Sequence, residues 1–280
     1  MPLRCVYTDV DGTLVGRGAS IFRDGDGRFT LLAARALEAC ARAGVEVVLV
    51  SGRRRATLFE DARMLGTSSY VYEIGGGMVV DGEHTPLTHD LEPADGRTVH
   101  ELIADSGAPR LLLERYAGRL EYHAPWHEGR EVSHLMRGLV DVEEADALLA
   151  DAGLEHLRLV DNGAIAPRAS LPSLPGPPHA YHLLPRSASK AAGAAAHMRA
   201  RGYEPADCLG VGDSREDLAV AGVVGRFFLV ANAFERDPGL GAEAGRRPNV
   251  EATEAGYGEG FYEAVVRSIA EGRAAWPVPT

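Results

Sequence analysis

Val45-Glu-Val-Val-Leu-Val50 is a near-continuous apolar run of strand length, and it constrains the chain more than any other feature. A strand that is apolar at almost every position must be covered on both faces. That is the condition inside a parallel sheet flanked by helices. The surrounding sequence follows the same grammar. Leu3 to Thr8 is a short β-prone run, broken by Asp9-Val-Asp-Gly-Thr13. Thr30 can cap a helix whose apolar positions Leu31, Leu32, Leu37, Cys40 and Ala41 recur at helical spacing, and Gly44 is placed to end it. After Val50 come Ser51-Gly-Arg53, a helix to about Leu65, and a strand around Tyr70 to Tyr72. Strand–helix–strand repetition predicts right-handed βαβ units in a Rossmann-like open parallel sheet, an α/β core.

The pattern returns near the end. Ser187 to Arg201 is alanine-rich and helical, with Ser187 or Ser189 as cap and Gly202 as stop. Cys208 to Gly212 reads as a strand, Ser214 to Ala221 as a short helix and Arg226 to Val230 as another strand. Between these halves the grammar changes. Isolated strands (Arg110 to Leu113, Leu157 to Val160, Ala180 to Leu184) alternate with helices near Ala94 to Asp105 and Val142 to Ala152. The expected organisation is a core of residues 1–82 and 186–280 with an inserted α+β cap domain at 83–185. Five prolines between Pro167 and Pro178 read as a stiff loop or hinge.

Composition narrows the function classes. Forty acidic residues against 29 basic ones give a net charge of −11, which disfavours nucleic acid and anionic membranes as partners. No apolar stretch approaches the roughly 18 residues of a membrane span. No signal peptide is visible, so a cytoplasmic location is the expectation. Cys5, Cys40 and Cys208 lie far apart in apolar segments and read as buried small residues, without zinc or disulfide spacing.

Three polar clusters follow predicted parallel strands immediately: Asp9/Asp11, Ser51/Arg53 and Asp213/Asp217. Ligands of open α/β sheets bind at the carboxyl ends of the strands, so the clusters should converge on one crevice. Gly12 permits the turn that brings Asp9 and Asp11 to one small volume. Three or four carboxylates in one pocket repel strongly unless a cation sits among them, and all-oxygen ligation with open positions suits Mg2+. Ser51, helix N-terminal N–H groups and Lys190 supply donors for an anion. An acidic metal site beside a cationic phosphate site is a combination for phosphoryl transfer.

Val6-Tyr-Thr-Asp9-Val-Asp11-Gly-Thr13 resembles motif I of the haloacid dehalogenase superfamily, Ser51-Gly-Arg53 motif II, Lys190 motif III and Gly212-Asp213-Ser-Arg-Glu-Asp217 motif IV. The insert between motifs II and III resembles the class IIB cap of sugar-phosphate phosphatases. The resemblance implies that Asp9 attacks phosphorus and that Asp11 protonates the leaving oxygen and then deprotonates water. It implies Mg2+ held by Asp9, the Asp11 carbonyl and Asp213, with Asp217 close by or bound through water. Ser51, Gly52, Arg53 and Lys190 would hold the phosphate, and Asn232 resembles an asparagine that borders the site. The implied function is Mg2+-dependent hydrolysis of a small phosphorylated metabolite, a sugar phosphate or a phosphoglycerate derivative such as mannosyl-3-phosphoglycerate. A phosphotransferase or phosphomutase on the same core, or a non-catalytic phosphometabolite-binding protein, are the alternatives.

Three positions depart from the family pattern. Ala191 follows the motif III lysine where glycine is common. Glu216 occupies an asparagine position in motif IV and adds negative charge. Glu73-Ile74-Gly75 lacks the amide of a Glu-Asn-Gly sequence. Other features read as ordinary structure. Asp24-Gly-Asp-Gly27 reads as a turn, Gly75-Gly-Gly77 as another, and Arg54 and Arg55 as solvent-facing. His127 and His134 in the insert lack a partner spacing that would mark a site.

Overall fold

A computed structural model describes residues 2–166, 170–171 and 174–274 of the 280-residue chain. The core strands are β1 (Cys5–Thr8), β2 (Glu46–Val50), β3 (Ser69–Tyr72), β4 (Gly77–Val80) and β5 (Glu83–Pro86). Helices α1 (Leu32–Ala43) and α2 (Arg55–Leu65) connect the first three. Gly44 ends α1 in the left-handed region (φ 67°), its N–H bonded to Ala41 O and Cys40 O. The buried stripe of α1 is Ala33, Ala36 and Cys40, whereas Leu31, expected on it, is 42% exposed.

The insert carries α3 (Val99–Asp105), α4 (Ala108–Arg115), β6 (Leu120–Tyr122), β7 (His134–Gly138), α5 (Val142–Asp151), β8 (Leu157–Ala164) and β9 (His179–Pro185). The chain then returns through α6 (Lys190–Arg201), β10 (Cys208–Gly212), α7 (Arg215–Leu218), β11 (Arg226–Leu229), α8 (Asn232–Arg236), α9 (Leu240–Ala244), β12 (Val250–Ala252) and α10 (Tyr257–Ala274). Ser189 caps α6 by accepting the Ala192 N–H at 3.0 Å, and Gly202 ends it at φ 64°.

Eight strands form the large sheet in the order β12-β11-β10-β1-β2-β3-β4-β5. The six from β12 to β3 are parallel, and β4 and β5 add an antiparallel edge. Alternate strand residues enter two apolar layers. Val6, Val47, Leu49, Leu209, Val211 and Phe228 pack on the side of α1 and α10, with Phe261 and Val265. Tyr7, Val48, Val50, Val71, Phe227 and Leu229 pack on the other side, with Ala194 and Met198 of α6. The near-continuous apolar run of β2 is thus covered on both faces. The cysteines are buried and unpaired.

The insert builds a second, antiparallel sheet in the order β6-β7-β9-β8. Its helix-facing residues, among them Leu120, Met136, Leu159, Tyr181 and Leu183, pack against Ile103, Leu112, Ala145 and Leu149. Two expectations fail in detail. Arg110 to Leu113 is helix, inside α4, because Gly107 and Pro109 start a helix there and Leu112 buries as one stripe. Glu83–Pro86, assigned to the insert by its departure from the core grammar, pairs with β4 at the edge of the large sheet. In the proline-rich stretch, residues 167–169 and 172–173 lie outside the described residues, and with them part of the expected hinge. No helix among the described residues is long and apolar enough to cross a membrane.

Phe228 is fully buried on β11, with the guanidinium carbons of Arg226 and Arg267 4.7 and 5.5 Å from its ring centre. Phe228→Ala is expected to lower the unfolding free energy by about 3–5 kcal/mol, through lost transfer energy plus a cavity. The urea unfolding midpoint measures it.

Candidate active site

Strand order reverses between β1 and β10: from β1 the chain builds outward to β2 and β3, and later from β10 to β11 and β12. A crevice opens where neighbouring connections diverge, at the carboxyl ends of the strands. Asp9 follows β1 and Asp213 follows β10 at that point, and the Asp9 N–H is bonded to Val211 O at 3.0 Å. Both carboxylates are 6% exposed and Asp217 3%. One oxygen each from Asp9, Asp213 and Asp217 lie within 4.8 Å of one another.

Lys190 enters this cluster from the first turn of α6. Its Nζ is 2.7 Å from Asp9 Oδ1 and 2.7 Å from Asp217 Oδ1, with the side chain 1% exposed. The two buried carboxylates hold its pKa above the ordinary lysine value, against the opposing effect of burial. Asp217 is saturated. Its Oδ2 accepts Ser214 Oγ at 2.6 Å, Ser214 N at 3.0 Å and Asp213 N at 3.1 Å, so it orients the lysine and closes the α7 turn. Asp213 accepts Thr13 Oγ1 at 3.1 Å and pairs with Arg236 Nη1. Burial pushes the Asp213 carboxyl up to about 6, helped by the neighbouring Asp217 charge. Burial likewise raises Asp9, with Lys190 pulling the other way. Lys190 Nζ holds Asp9 Oδ1, and Asp9 Oδ2 accepts no hydrogen bond from the described residues.

The donor set fits a divalent cation. Asp9, Asp213 and Asp217 carry three negative charges against Lys190 and Arg236, and an incoming phosphate dianion adds more. Gly12, at φ 95°, has no room for a side chain: a Cβ would stand 2.3 Å from Asp213 Oδ2. The motif I loop is therefore pressed against the carboxylates.

The remaining sequence-predicted residues surround this centre. The Asp11 side chain is 56% exposed and held by a bidentate Arg53 fork (Nε–Oδ2 2.7 Å, Nη2–Oδ1 2.6 Å). Arg53 also reaches Asp61 at 2.7 Å. Ser51 is buried, and its Oγ accepts the Arg53 N–H at 3.2 Å. Gly52 gives its carbonyl to Arg130 Nη1 of the cap at 3.1 Å. Asn232 spans two loops: its Nδ2 donates to Gly12 O at 2.9 Å and its Oδ1 accepts the Tyr257 N–H at 2.7 Å. Both ends of its amide are engaged, so it braces the motif I loop.

Two of the three departures from the family pattern, Glu216 and Ile74, acquire reasons. Glu216 turns to the α6 N-terminus, accepting Lys190 N at 3.2 Å, and lies 3.5 Å from Arg158 of the cap. Ile74 is fully buried against Val160, Leu184 and Ala188, so an apolar core–cap contact stands where the amide would be. Arg54 and Arg55 are not merely solvated. Arg54 donates to Glu128 O at 2.8 Å and Arg55 pairs with Glu131 at 2.8 Å. His134 stacks on His100 with ring centres 3.7 Å apart, a packing role. Sequence reading missed the roles of Thr13, Arg236 and Glu73. Thr13 lay inside the quoted motif and could have been singled out. The other two carry no local signal, because their partners are distant in sequence.

A family model described as haloacid dehalogenase-like hydrolase matches residues 6–131. A phosphoglycolate phosphatase of Methanoculleus marisnigri is 28% identical over 266 residues, covering 94% of this chain and 95% of that protein. One of Archaeoglobus fulgidus is 27% identical over 236 residues, 83% and 86% of the two chains. Among solved structures, the sucrose-phosphatase of Synechocystis sp. PCC6803 superposes with TM-score 0.64 at 15% identity, covering 96% of this chain and 98% of that one. Thermoplasma acidophilum 0175 gives 0.63 at 18% identity, covering 96% and 99%. Core and cap thus share one fold with these neighbours; residues 6–131 match the haloacid dehalogenase-like hydrolases, nearly the whole chain is similar to phosphoglycolate phosphatases, and the protein is a phosphatase.

Proposed function

We propose that this phosphatase is Mg2+-dependent and releases phosphate from a small phosphorylated metabolite through an aspartyl-phosphate on Asp9. The observation that carries the reading is the Asp9 carboxylate, buried at the end of β1 with Oδ1 held by Lys190 and Oδ2 accepting no hydrogen bond from the described residues. Oδ2 bonds to phosphorus as the ester P–O bond breaks, and the leaving oxygen takes a proton from Asp11. Water then attacks the same phosphorus, its proton passes to Asp11, and Asp9 is released. For this Asp11 must let go of Arg53, which keeps a second partner in Asp61 and is not left unpaired. The Ser51–Arg53 turn and Lys190 hold the phosphate oxygens, and Asn232 keeps the Asp9–Thr13 loop in place. Asp9, Asp213 and the Asp11 carbonyl would hold Mg2+, with Asp217 behind them fixing Lys190. When bound, the ion neutralises charge on the transferring phosphoryl group.

In this reading the core does the chemistry and the inserted cap, residues 83–185 in outline, selects the leaving group. The relatives named as phosphoglycolate phosphatases and the sucrose-phosphatase neighbour put two substrate classes forward, phosphoglycolate and sugar phosphates.

Three outcomes are expected. Asp9→Asn keeps the side-chain shape but removes the nucleophile, so phosphate release across a panel of phosphate esters should fall about a thousandfold or more. EDTA should abolish wild-type turnover and Mg2+ restore it. Lys190→Met leaves two buried carboxylates facing each other. It should cost about 3–5 kcal/mol in metal-free denaturant unfolding and lose turnover as well.

A fourth concerns pH. The Asp213 pKa, about 6, lies above its unfolded value, so the metal-free protein loses this group's stabilisation as pH rises through about 6. Mg2+ needs the ionised carboxylate. The increase in melting temperature on adding Mg2+ should therefore be small at pH 5 and grow by pH 7.5. A thermal shift that is equal at both pH values would contradict this assignment.

A further inference from the structure

The cap sheet turns one face toward the crevice, and two of its side chains meet the motif II loop directly. A Cβ placed on Gly52 would stand 2.9 Å from His182 Nε2 and 3.3 Å from Asn162 Nδ2. His182 lies on β9 and Asn162 on the paired strand β8. Gly52 is the residue after Ser51, so the imidazole and the amide arrive beside the proposed phosphate donors, where the rest of a substrate must emerge.

The hydrogen-bond inventory fixes which way the imidazole presents itself. Glu73, fully buried in the core, accepts the backbone N–H groups of Glu131 (2.9 Å), Val132 (3.2 Å) and Ser133 (2.7 Å) from the cap. It also accepts the Ser133 hydroxyl at 2.9 Å. A serine has one hydroxyl proton, and here a carboxylate takes it. Ser133 Oγ therefore acts as acceptor toward its other neighbours, Arg130 Nη1 at 3.0 Å and His182 Nδ1 at 3.0 Å. His182 must carry its proton on Nδ1, which leaves Nε2 with a bare lone pair. Burial, and the nearby Arg130 and Lys190 charges, keep the ring neutral. Asn162 adds an amide, with a donor and an acceptor, on the same loop.

An acceptor and an amide donor converging on one spot match a group that donates one hydrogen bond and takes another. A hydroxyl does both. A carboxylate offers acceptors alone and would face the Nε2 lone pair.

We infer that His182 and Asn162 form the leaving-group subsite and select a phosphorylated polyol or sugar, through a hydroxyl that donates to His182 Nε2 and accepts from Asn162. Ser133 and Glu73 are positioning residues that set the imidazole tautomer. This rests on the phosphatase reading and chooses between its two substrate classes.

The test compares kcat/KM in Mg2+ for glycerol 3-phosphate and glucose 6-phosphate, for phosphoglycolate, and for p-nitrophenyl phosphate, whose leaving group has no hydroxyl to donate. In the wild type, the hydroxyl-bearing esters should exceed phosphoglycolate. His182→Leu should lower their kcat/KM relative to p-nitrophenyl phosphate by about tenfold, the loss of one hydrogen bond. His182→Gln, which retains an acceptor, should recover part of that ratio. Ser133→Ala frees the tautomer and should lower the same ratio while the fold, followed by thermal melting, is kept. Two results overturn the subsite. One is a wild type that prefers phosphoglycolate. The other is a His182→Leu variant that loses all substrates in equal proportion, the signature of a residue that only seats the cap on Gly52. A wild type that hydrolyses no ester overturns the phosphatase reading itself, and the subsite with it.

Discussion

The Lys190 ammonium, buried between Asp9 and Asp217, is the interaction on which the active centre depends. Carboxylates at the ends of two adjacent parallel strands cannot share a dry crevice without a cation, because burial and mutual repulsion both disfavour their charged forms. Lysine supplies that cation from a third element, α6. It therefore ties together β1, α7 and the helix that follows the cap. Asp217 has no other freedom: its second oxygen is spent on the Ser214 turn. The charge balance of Asp9, Asp213 and Asp217 against Lys190 and Arg236 remains short of neutral, which leaves the crevice acidic.

The cap is held to the loops that follow β2 and β3. Arg130 reaches the Gly52 carbonyl, Arg54 and Arg55 bond the 128–131 segment, and Glu73 is wrapped by the backbone of residues 131–133. Ile74 closes the seam with an apolar contact to Val160 and Leu184. Charged and apolar contacts thus meet beside the Ser51–Arg53 loop, so a shift of the cap is felt first there. A site arranged in this way excludes water best when both partners are engaged.

Much of the core was legible in the sequence because its signals are local. The apolar run of β2, the Gly44 and Gly202 stops and the Ser189 cap each express a backbone requirement within a few residues. The acidic clusters are legible for a similar reason: each directly follows a strand end, and the topology of an open sheet does the gathering. The cap was less legible. Arg110 to Leu113 looks strand-like by composition, yet Gly107 and Pro109 start a helix. Strands β6 and β7 are short and polar enough to hide in a stretch rich in arginine and histidine. The edge strand β5 is exposed throughout and carries no apolar pattern at all.

The sequence by itself determined the alternation of strand and helix, the residue that ends each core strand and the chemical type of the groups gathered there, since these depend on periodicity and on side-chain identity. Only the tertiary structure decided which partners those groups have. Lys190 stands 181 residues from Asp9, Arg53 stands 42 from Asp11, and Asn232 stands 220 from the Gly12 carbonyl it braces. Ionisation, tautomer and hydrogen-bond direction are set by burial and by such neighbours. Both come into being only when distant segments close on one crevice.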